Sequence, residues 1–312
     1  MCRDCIRVSH FYEFSRLPKN MIGEIMAEFS WNGVKFLTLD ASDCKTMLKD
    51  PNFSTSLPWY AQQYGITFGD VHAPYGQYFD LDLLQPLRRE EMIKEHSYLL
   101  ERLGNYGIKT YTMHVGAVPW CAAPAAVDMP ELRKNAIDTL EKLLPVAEKA
   151  GIILCIENAF EPVDSADEVL SYVKYFDHPN IRCCFDCGHA NIMRKTGKDL
   201  SRYKKEFHEV VWRNALTLSD EEFNKMAPYI VTCHLHDNDG YSDAHTLPGT
   251  GTVHWDILMD DLYTKCPLLQ SIQNESSMSS GNCIGRSAAV FRVLSGNAPD
   301  KNEILRNFTA VP

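Results

Sequence analysis

A short apolar run with strand character gives way to a helical stretch, and this alternation recurs about eight times between Ile6 and Ser295 with no low-complexity linker to break it. Few architectures accept such an order. Strands that alternate with helices pair in parallel, because each helix returns the chain to the starting edge of the sheet. Apolar, partly β-branched runs predict strands at residues 6–10, 34–39, 66–71, 108–113, 152–156, 181–185, 229–233 and 268–274. Helical spacing predicts helices at 21–29, 84–103, 129–150, 164–176, 255–263 and 283–295. Residues 61–64 close a loop or a helix, and 197–224 is helical but irregular. The expected fold is therefore α/β, a single (β/α)8 TIM barrel over residues 1–312. A doubly wound open sheet is the alternative, and it would normally carry a glycine-rich phosphate loop after an early strand, which this chain lacks.

The residues just past the apolar runs are not a random sample. Six successive strands end in metal-capable or acid-base side chains: His72, His114, Glu157, Asp186 with His189, His236 with Asp243 and His245, and Glu275. In a barrel all strand ends meet on one face around one axis, which is where ligands bind. Two glutamates, an aspartate and a histidine form a mixed oxygen and nitrogen donor set. That set suits one divalent metal, manganese first, with zinc, cobalt or magnesium as alternatives. The densest stretch is His234-Leu235-His236-Asp237-Asn238-Asp239-Gly240, continued by Asp243-Ala244-His245 and Pro248-Gly249-Thr250-Gly251. His234 and His236 share a strand face, so only one of them need reach the metal.

Glu157-Asn158, the run from Phe185 through Asp186-Cys187-Gly188-His189-Ala190 to Asn191, His234-Leu235-His236-Asp237-Asn238 and the late Glu275 together resemble the xylose isomerase-like barrel superfamily. That superfamily holds sugar phosphate isomerases and epimerases and also endonuclease IV. The resemblance covers nearly the whole chain, and its motifs specify the superfamily rather than the substrate. It implies that Glu157, Asp186, His236 and Glu275 hold one metal ion, with Glu157 and Glu275 flanking a sugar as the acid-base pair. By the same resemblance His189 binds a substrate hydroxyl or carbonyl, and His72, His114, Asp243 and His245 are substrate-binding groups. Trp120, six residues past His114, could stack on a sugar. The implied chemistry is proton transfer next to a carbonyl, through an enediolate stabilised by the metal.

Ketose 3-epimerases carry a substrate-binding arginine soon after the seventh-strand histidine, whereas no arginine follows His236 here before Arg286. Inosose dehydration or cleavage of a C-glycoside therefore stands as a lyase alternative. Endonuclease IV supplies the second alternative, because His72, His114, Asp243 and His245 match the types it uses to gather three zinc ions. The formal net charge of -10 works against a nucleic-acid partner, whose phosphates require lysine and arginine. A non-catalytic sugar-binding barrel would leave the acid-base pair without a purpose.

No apolar run reaches the roughly 18 residues of a membrane span. The start, Met1-Cys2-Arg3-Asp4-Cys5, leads into no signal-like apolar region, and Cys2 and Cys5 have no second pair at zinc-finger spacing. Several of the eleven cysteines, such as Cys155, Cys183, Cys184 and Cys233, lie inside strand-like runs and read as reduced core residues of a cytoplasmic protein. The resemblance further implies a homodimer or homotetramer. The expected partner is a small sugar, and the amides of Gly249-Thr250-Gly251 could hold a phosphate on it.

Overall fold

Buried strands must pair every backbone amide and carbonyl, and eight short apolar strands can do so without leaving an edge only by closing on themselves. The computed structural model, which describes residues 5–116, 128–212, 216–278 and 283–296, has that closure. Strands β1 (Arg7–Tyr12), β2 (Phe36–Leu39), β3 (Thr67–His72), β4 (Thr110–Met113), β5 (Ile153–Glu157), β6 (Ile181–Asp186), β7 (Ile230–Leu235) and β8 (Ser271–Asn274) form a closed barrel in sequence order. Each neighbouring pair is parallel, and β8 returns to β1 with Val8 opposite Ile272.

Helices cover the outside. They are α1 (Ile22–Trp31), α2 (Ala41–Met47), α3 (Pro51–Gln63), α4 (Pro86–Gly104), α5 (Met129–Ala150), α6 (Ala166–Phe176), α7 (Cys187–Met193), α8 (Glu222–Met226), α9 (Trp255–Lys265) and α10 (Ile284–Leu294). The longest, α5, ends where Gly151 adopts a φ of 70°, a left-handed turn that glycine makes without strain. Alternation along each strand sends Leu37, Tyr111, Leu154, Ile156, Leu235 and Ile272 outward, all buried under these helices.

Where the sequence leaves loop or helix open, segment 40–63 forms two helices, with Asp40 accepting from the Ser42 amide and Asp50 from the Asn52 amide at the two helix starts. The irregular 197–224 stretch resolves into a 3-10 turn (Leu200–Arg202), a π-helical turn (Phe207–Val211) and α8. The aromatic residues Tyr203, Phe207, Trp212 and Tyr241 hold the two turns as a small separate core.

The lower half of the barrel interior is polar. Ser9 pairs with Thr38, Thr38 donates to Gln273, and Gln273 donates to Thr232, which pairs with Ser271; Ser271, Thr110 and Arg7 all donate to Asp70. Every strand except β5 and β6 contributes to this network. It forms a fixed floor beneath the upper layer of side chains, since buried polar groups are costly unless paired.

One buried acid outside the barrel makes stability depend on pH. Asp43, in the first turn of α2, accepts from the Ser15 amide at 2.7 Å, and its other oxygen has no partner. Burial pushes its carboxyl up to about 8, against the Ser15 hydrogen bond that favours the anion. A folded pKa above the unfolded value means that the native state holds the extra proton. The stabilisation is complete below about pH 4 and is lost as pH rises through about 8. Asp43→Asn keeps the acceptor and removes the charge. Its melting temperature should match wild type at pH 4 and exceed it by about 4 °C at pH 9; an equal difference at both would mean that Asp43 does not titrate on folding.

Candidate active site

Period-two alternation builds the site directly on the polar floor. Asp70 leads to His72, Thr112 to His114, Cys155 to Glu157, Cys184 to Asp186, Thr232 to His234 and then His236, and Gln273 to Glu275. All of these upper residues except His114 and Glu275 are buried, and those two are half-buried. At the centre His234 Nδ1 lies 2.9 Å from Glu157 Oε1, 3.3 Å from Glu275 Oε2 and 4.0 Å from Asp186 Oδ2. The second oxygen of Glu157 faces His114 Nε2 at 3.2 Å and His72 Nε2 at 3.5 Å.

His236 stands one step further up the chain and joins a different group. Its Nε2 lies 3.1 and 3.2 Å from the two Asp186 oxygens, and its ring stacks on His245 with centroids 3.8 Å apart. Asp243 Oδ1 faces His245 Nε2 at 3.1 Å and His189 Nε2 at 3.6 Å. Thus the four-residue set expected around a metal is not drawn together as named. The structure brings His234, rather than His236, to Glu157, Asp186 and Glu275, because the β6–β7 register sets His234 level with Asp186.

Three groups of side chains among the described residues have ligand atoms close enough to hold a metal ion. These are Glu157, Asp186, His234 and Glu275; His72, Glu157 and His234; and His189, His236, Asp243 and His245, each with its ligand atoms within 4.8 Å of one another. Buried His234 Nε2, His236 Nδ1 and Glu275 Oε2 lack hydrogen-bond partners. Of these, Glu275 Oε2 belongs to the first group, where an unsatisfied carboxylate oxygen fits a divalent ion, whereas the two nitrogens are those turned away from the carboxylates that His234 Nδ1 and His236 Nε2 face.

Backbone contacts fix which imidazole nitrogen faces inward. His72 Nδ1 lies 2.9 Å from the Ala73 carbonyl, His189 Nδ1 2.9 Å from that of Asn158, and His245 Nδ1 3.0 Å from that of Glu275. A carbonyl can only accept, so each Nδ1 carries a hydrogen and each Nε2 is turned to the carboxylates. Asn158 braces the next strand through both ends of its amide: Nδ2 donates to the Asp186 carbonyl and Oδ1 accepts from the Asp186 amide. The Asp186 side chain caps α7 by accepting from the His189 amide, so the Asp186–Asn191 run is a helix start and not a free loop.

Charges in the cluster support one another. Burial alone would disfavour the imidazoliums, yet Glu157, Asp164 and Asp80 raise His114 to about 9, and Asp243 with Glu275 raises His245 to about 10. Burial also opposes the Glu157 anion, but His234 and His114 outweigh it and hold the carboxyl well below the usual range. The protons on these imidazoles occupy ground that a divalent ion would take over.

Glycines give the rings room. A Cβ on Gly188 would overlap the His236 imidazole, so Gly188→Ala must swing that ring off Asp186. We expect it to lose on the order of 2 kcal/mol of stability, read as a lower urea midpoint. An unchanged midpoint would show that the ring is not seated against Gly188.

Other expected features fare differently. Trp120 lies outside the described residues. The Gly249-Thr250-Gly251 stretch does not offer its first amide to a ligand: Gly249 N donates to buried Asp237, which also accepts from Val253 N and Trp255 Nε1. Tyr75 carried no sequence signal beyond following His72-Ala73-Pro74, yet its ring stacks on His114 at 4.7 Å. Asp164, read in the sequence as a helix start, is a buried carboxylate that accepts from the Val115 amide at 2.7 Å and holds the turn after β4. A cavity of about 380 Å³ opens over this cluster, walled by His72, Tyr75, His114, Phe160 and His189. Cys44, Cys155, Cys183, Cys184, Cys187, Cys233, Cys266 and Cys283 are free thiols. No described helix is long and apolar enough to cross a membrane.

Comparison with known proteins agrees with the barrel. Residues 43–265 match the family described as xylose isomerase-like TIM barrel. An uncharacterised protein of Methanocaldococcus jannaschii is 24% identical over 200 residues, a match that spans 62% of this chain and 59% of the relative. A D-psicose 3-epimerase from Clostridium cellulolyticum H10, solved with D-tagatose, superposes with a TM-score of 0.65 at 16% identity, covering 97% of each chain. A 3-keto-D-glucoside 4-epimerase from E. coli superposes with a TM-score of 0.68 at 16% identity, covering 93% of this chain and 98% of that one.

Proposed function

The chain belongs to the xylose isomerase-like TIM barrel family, and on that premise we propose that it is a divalent-metal-dependent isomerase or epimerase of a sugar or sugar derivative. The observation that carries this reading is the convergence of two glutamates, Glu157 and Glu275, whose oxygens lie 2.9 and 3.3 Å from His234 Nδ1, in the lining of a ligand-sized cavity. The superposed epimerases of D-psicose and of a 3-keto-D-glucoside support the sugar class.

In this reading Glu157, Asp186, His234 and Glu275 hold the ion, and manganese suits three carboxylates and one imidazole better than a soft-ligand metal. A divalent ion there supplies positive charge beside a carbonyl and its neighbouring hydroxyl, which lowers the cost of taking the C–H proton between them. Glu157 and Glu275 are ionised, so one can accept that proton while the other, once loaded, returns a proton to the opposite face or the adjacent carbon. His189 Nε2 and His245 Nε2 face the cavity beside Asp243 and orient sugar hydroxyls. Protein loaded with manganese, cobalt or zinc and incubated with a panel of ketoses and keto-glycosides should interconvert at least one pair of isomers by chromatography. Failure across the panel with every metal would remove the proposal.

A second reading is favoured by the number of metal-capable groups. Three neighbouring groups, two of which share Glu157 and His234, could gather three ions, which is what an abasic-site endonuclease of the endonuclease IV type would need. The acidic balance of the chain opposes it. Incision of an oligonucleotide carrying one abasic site by zinc-loaded protein would establish this second activity.

A further inference from the structure

The cavity over the metal-capable cluster is not the whole of the open space. A second cavity of about 610 Å³ adjoins it between the ends of β1, β2 and β8, and the two share Tyr75, Asp243, His245 and Glu275. The inner cavity, at about 380 Å³, already lies in the ~300–1,000 Å³ range that takes a small ligand. The outer one therefore leaves room for a second unit attached to the first.

Its lining says what that unit is. Glu13, Asp40, Asp243 and Glu275 bring four carboxylates against Arg16, which is engaged with Glu13 at 2.9 Å, and His245, which is engaged with Asp243 at 3.1 Å. The start of α2 opens beside this cavity, but Asp40 already caps it by accepting from the Ser42 amide. The glycine stretch that could have held a phosphate spends its Gly249 amide on Asp237. A phosphate would thus meet repulsion and find few unspent donors, whereas carboxylates accept readily from hydroxyl groups. Between the acids stand Phe11, Leu17 and Met278, apolar surface of the kind that packs on the C–H face of a sugar ring.

Resting on the sugar reading above, we infer that the substrate is an unphosphorylated glycoside of at least two units, with the reacting sugar over Glu157 and Glu275 and its neighbouring sugar in the cavity walled by Phe11, Leu17, Glu13 and Asp40. The inner site handles the proton. The outer one selects by size and charge, and Tyr75 divides the two.

The test is calorimetric titration of the full-length, manganese-loaded protein with methyl glycosides of glucose, galactose and mannose, with a disaccharide carrying each sugar, and with each sugar 6-phosphate. In the series that binds best, the disaccharide should bind at least tenfold tighter than the methyl glycoside, and the phosphate more weakly than either. Leu17→Trp, which fills the outer cavity, should bring disaccharide and methyl glycoside to equal affinity. A phosphate that binds as tightly as the disaccharide, a second sugar that adds nothing, or no measurable binding in any series would overturn the inference. Binding is read without turnover, so the two proposals fail separately. Disaccharide preference together with retention of every carbon-bound hydrogen across a panel of ketoses and keto-glycosides would sink the isomerase reading and leave the substrate class standing, whereas exchange on a sugar phosphate would do the reverse.

Discussion

Glutamine in place of Glu157 or of Glu275 is expected to lower kcat for sugar interconversion by about a thousandfold or more, equivalent to roughly 4 kcal/mol of the barrier. The substitution keeps the shape of each side chain and removes the charge that accepts a proton. It also weakens one ligand in the metal group, because both residues belong to it. Rates are therefore compared per bound ion, with metal content read by elemental mass spectrometry. If each variant lost metal but kept its rate per ion, the glutamates would be ligands only. If each kept metal and lost the rate, the acid-base pair would stand. Glu157→Gln carries a further structural consequence, since Glu157 faces His72, His114 and His234 together and is the one carboxylate they share. Its amide would present a hydrogen toward some of those rings, so His114 and His234, which Glu157 holds up, should give up protons at lower pH than in wild type.

The second large effect separates two neighbouring histidines. His234→Ala should reduce affinity for the ion by more than about a hundredfold, because it removes the imidazole that touches Glu157 and Glu275 and leaves those buried carboxylates facing one another. His236→Ala should retain one ion per chain, since His236 contacts only Asp186 of that group and stacks on His245. Equilibrium dialysis with manganese would read both. Loss of all metal in His236→Ala with retention in His234→Ala would reverse the assignment and return the four-residue set to the one that the family resemblance implies.

The depth of these two histidines marks the boundary between what the chain displays locally and what only the fold decides. Spacing of two along a strand was enough to place both on the inner face. Which of them reaches Glu157 depends on how β7 registers against β6, where Asp186 stands opposite His234. Register in a parallel barrel is fixed by partners roughly fifty residues away, and no short motif carries it. The same reason hides the polar floor: Asp70 is completed by Arg7, Thr110 and Ser271 from three other strands. By contrast, the order of strands and helices and the residues at the strand ends were legible, because apolar periodicity is local and the barrel gathers every strand end on one face. Asp237 stands in the same His-rich run as the site residues, but it is fully enclosed and ties down the glycine turn twelve residues later. Local composition named the right neighbourhood and could not tell a ligand from a brace.

The measurement closest to the central claim is proton NMR of the metal-loaded wild-type protein with ketoses and keto-glycosides in deuterium oxide. Proton transfer beside a carbonyl predicts that at least one substrate loses the signal of a single carbon-bound hydrogen as deuterium replaces it, at a rate that falls when the ion is chelated. Retention of every carbon-bound hydrogen across the panel, with manganese, cobalt and zinc alike, would contradict the account.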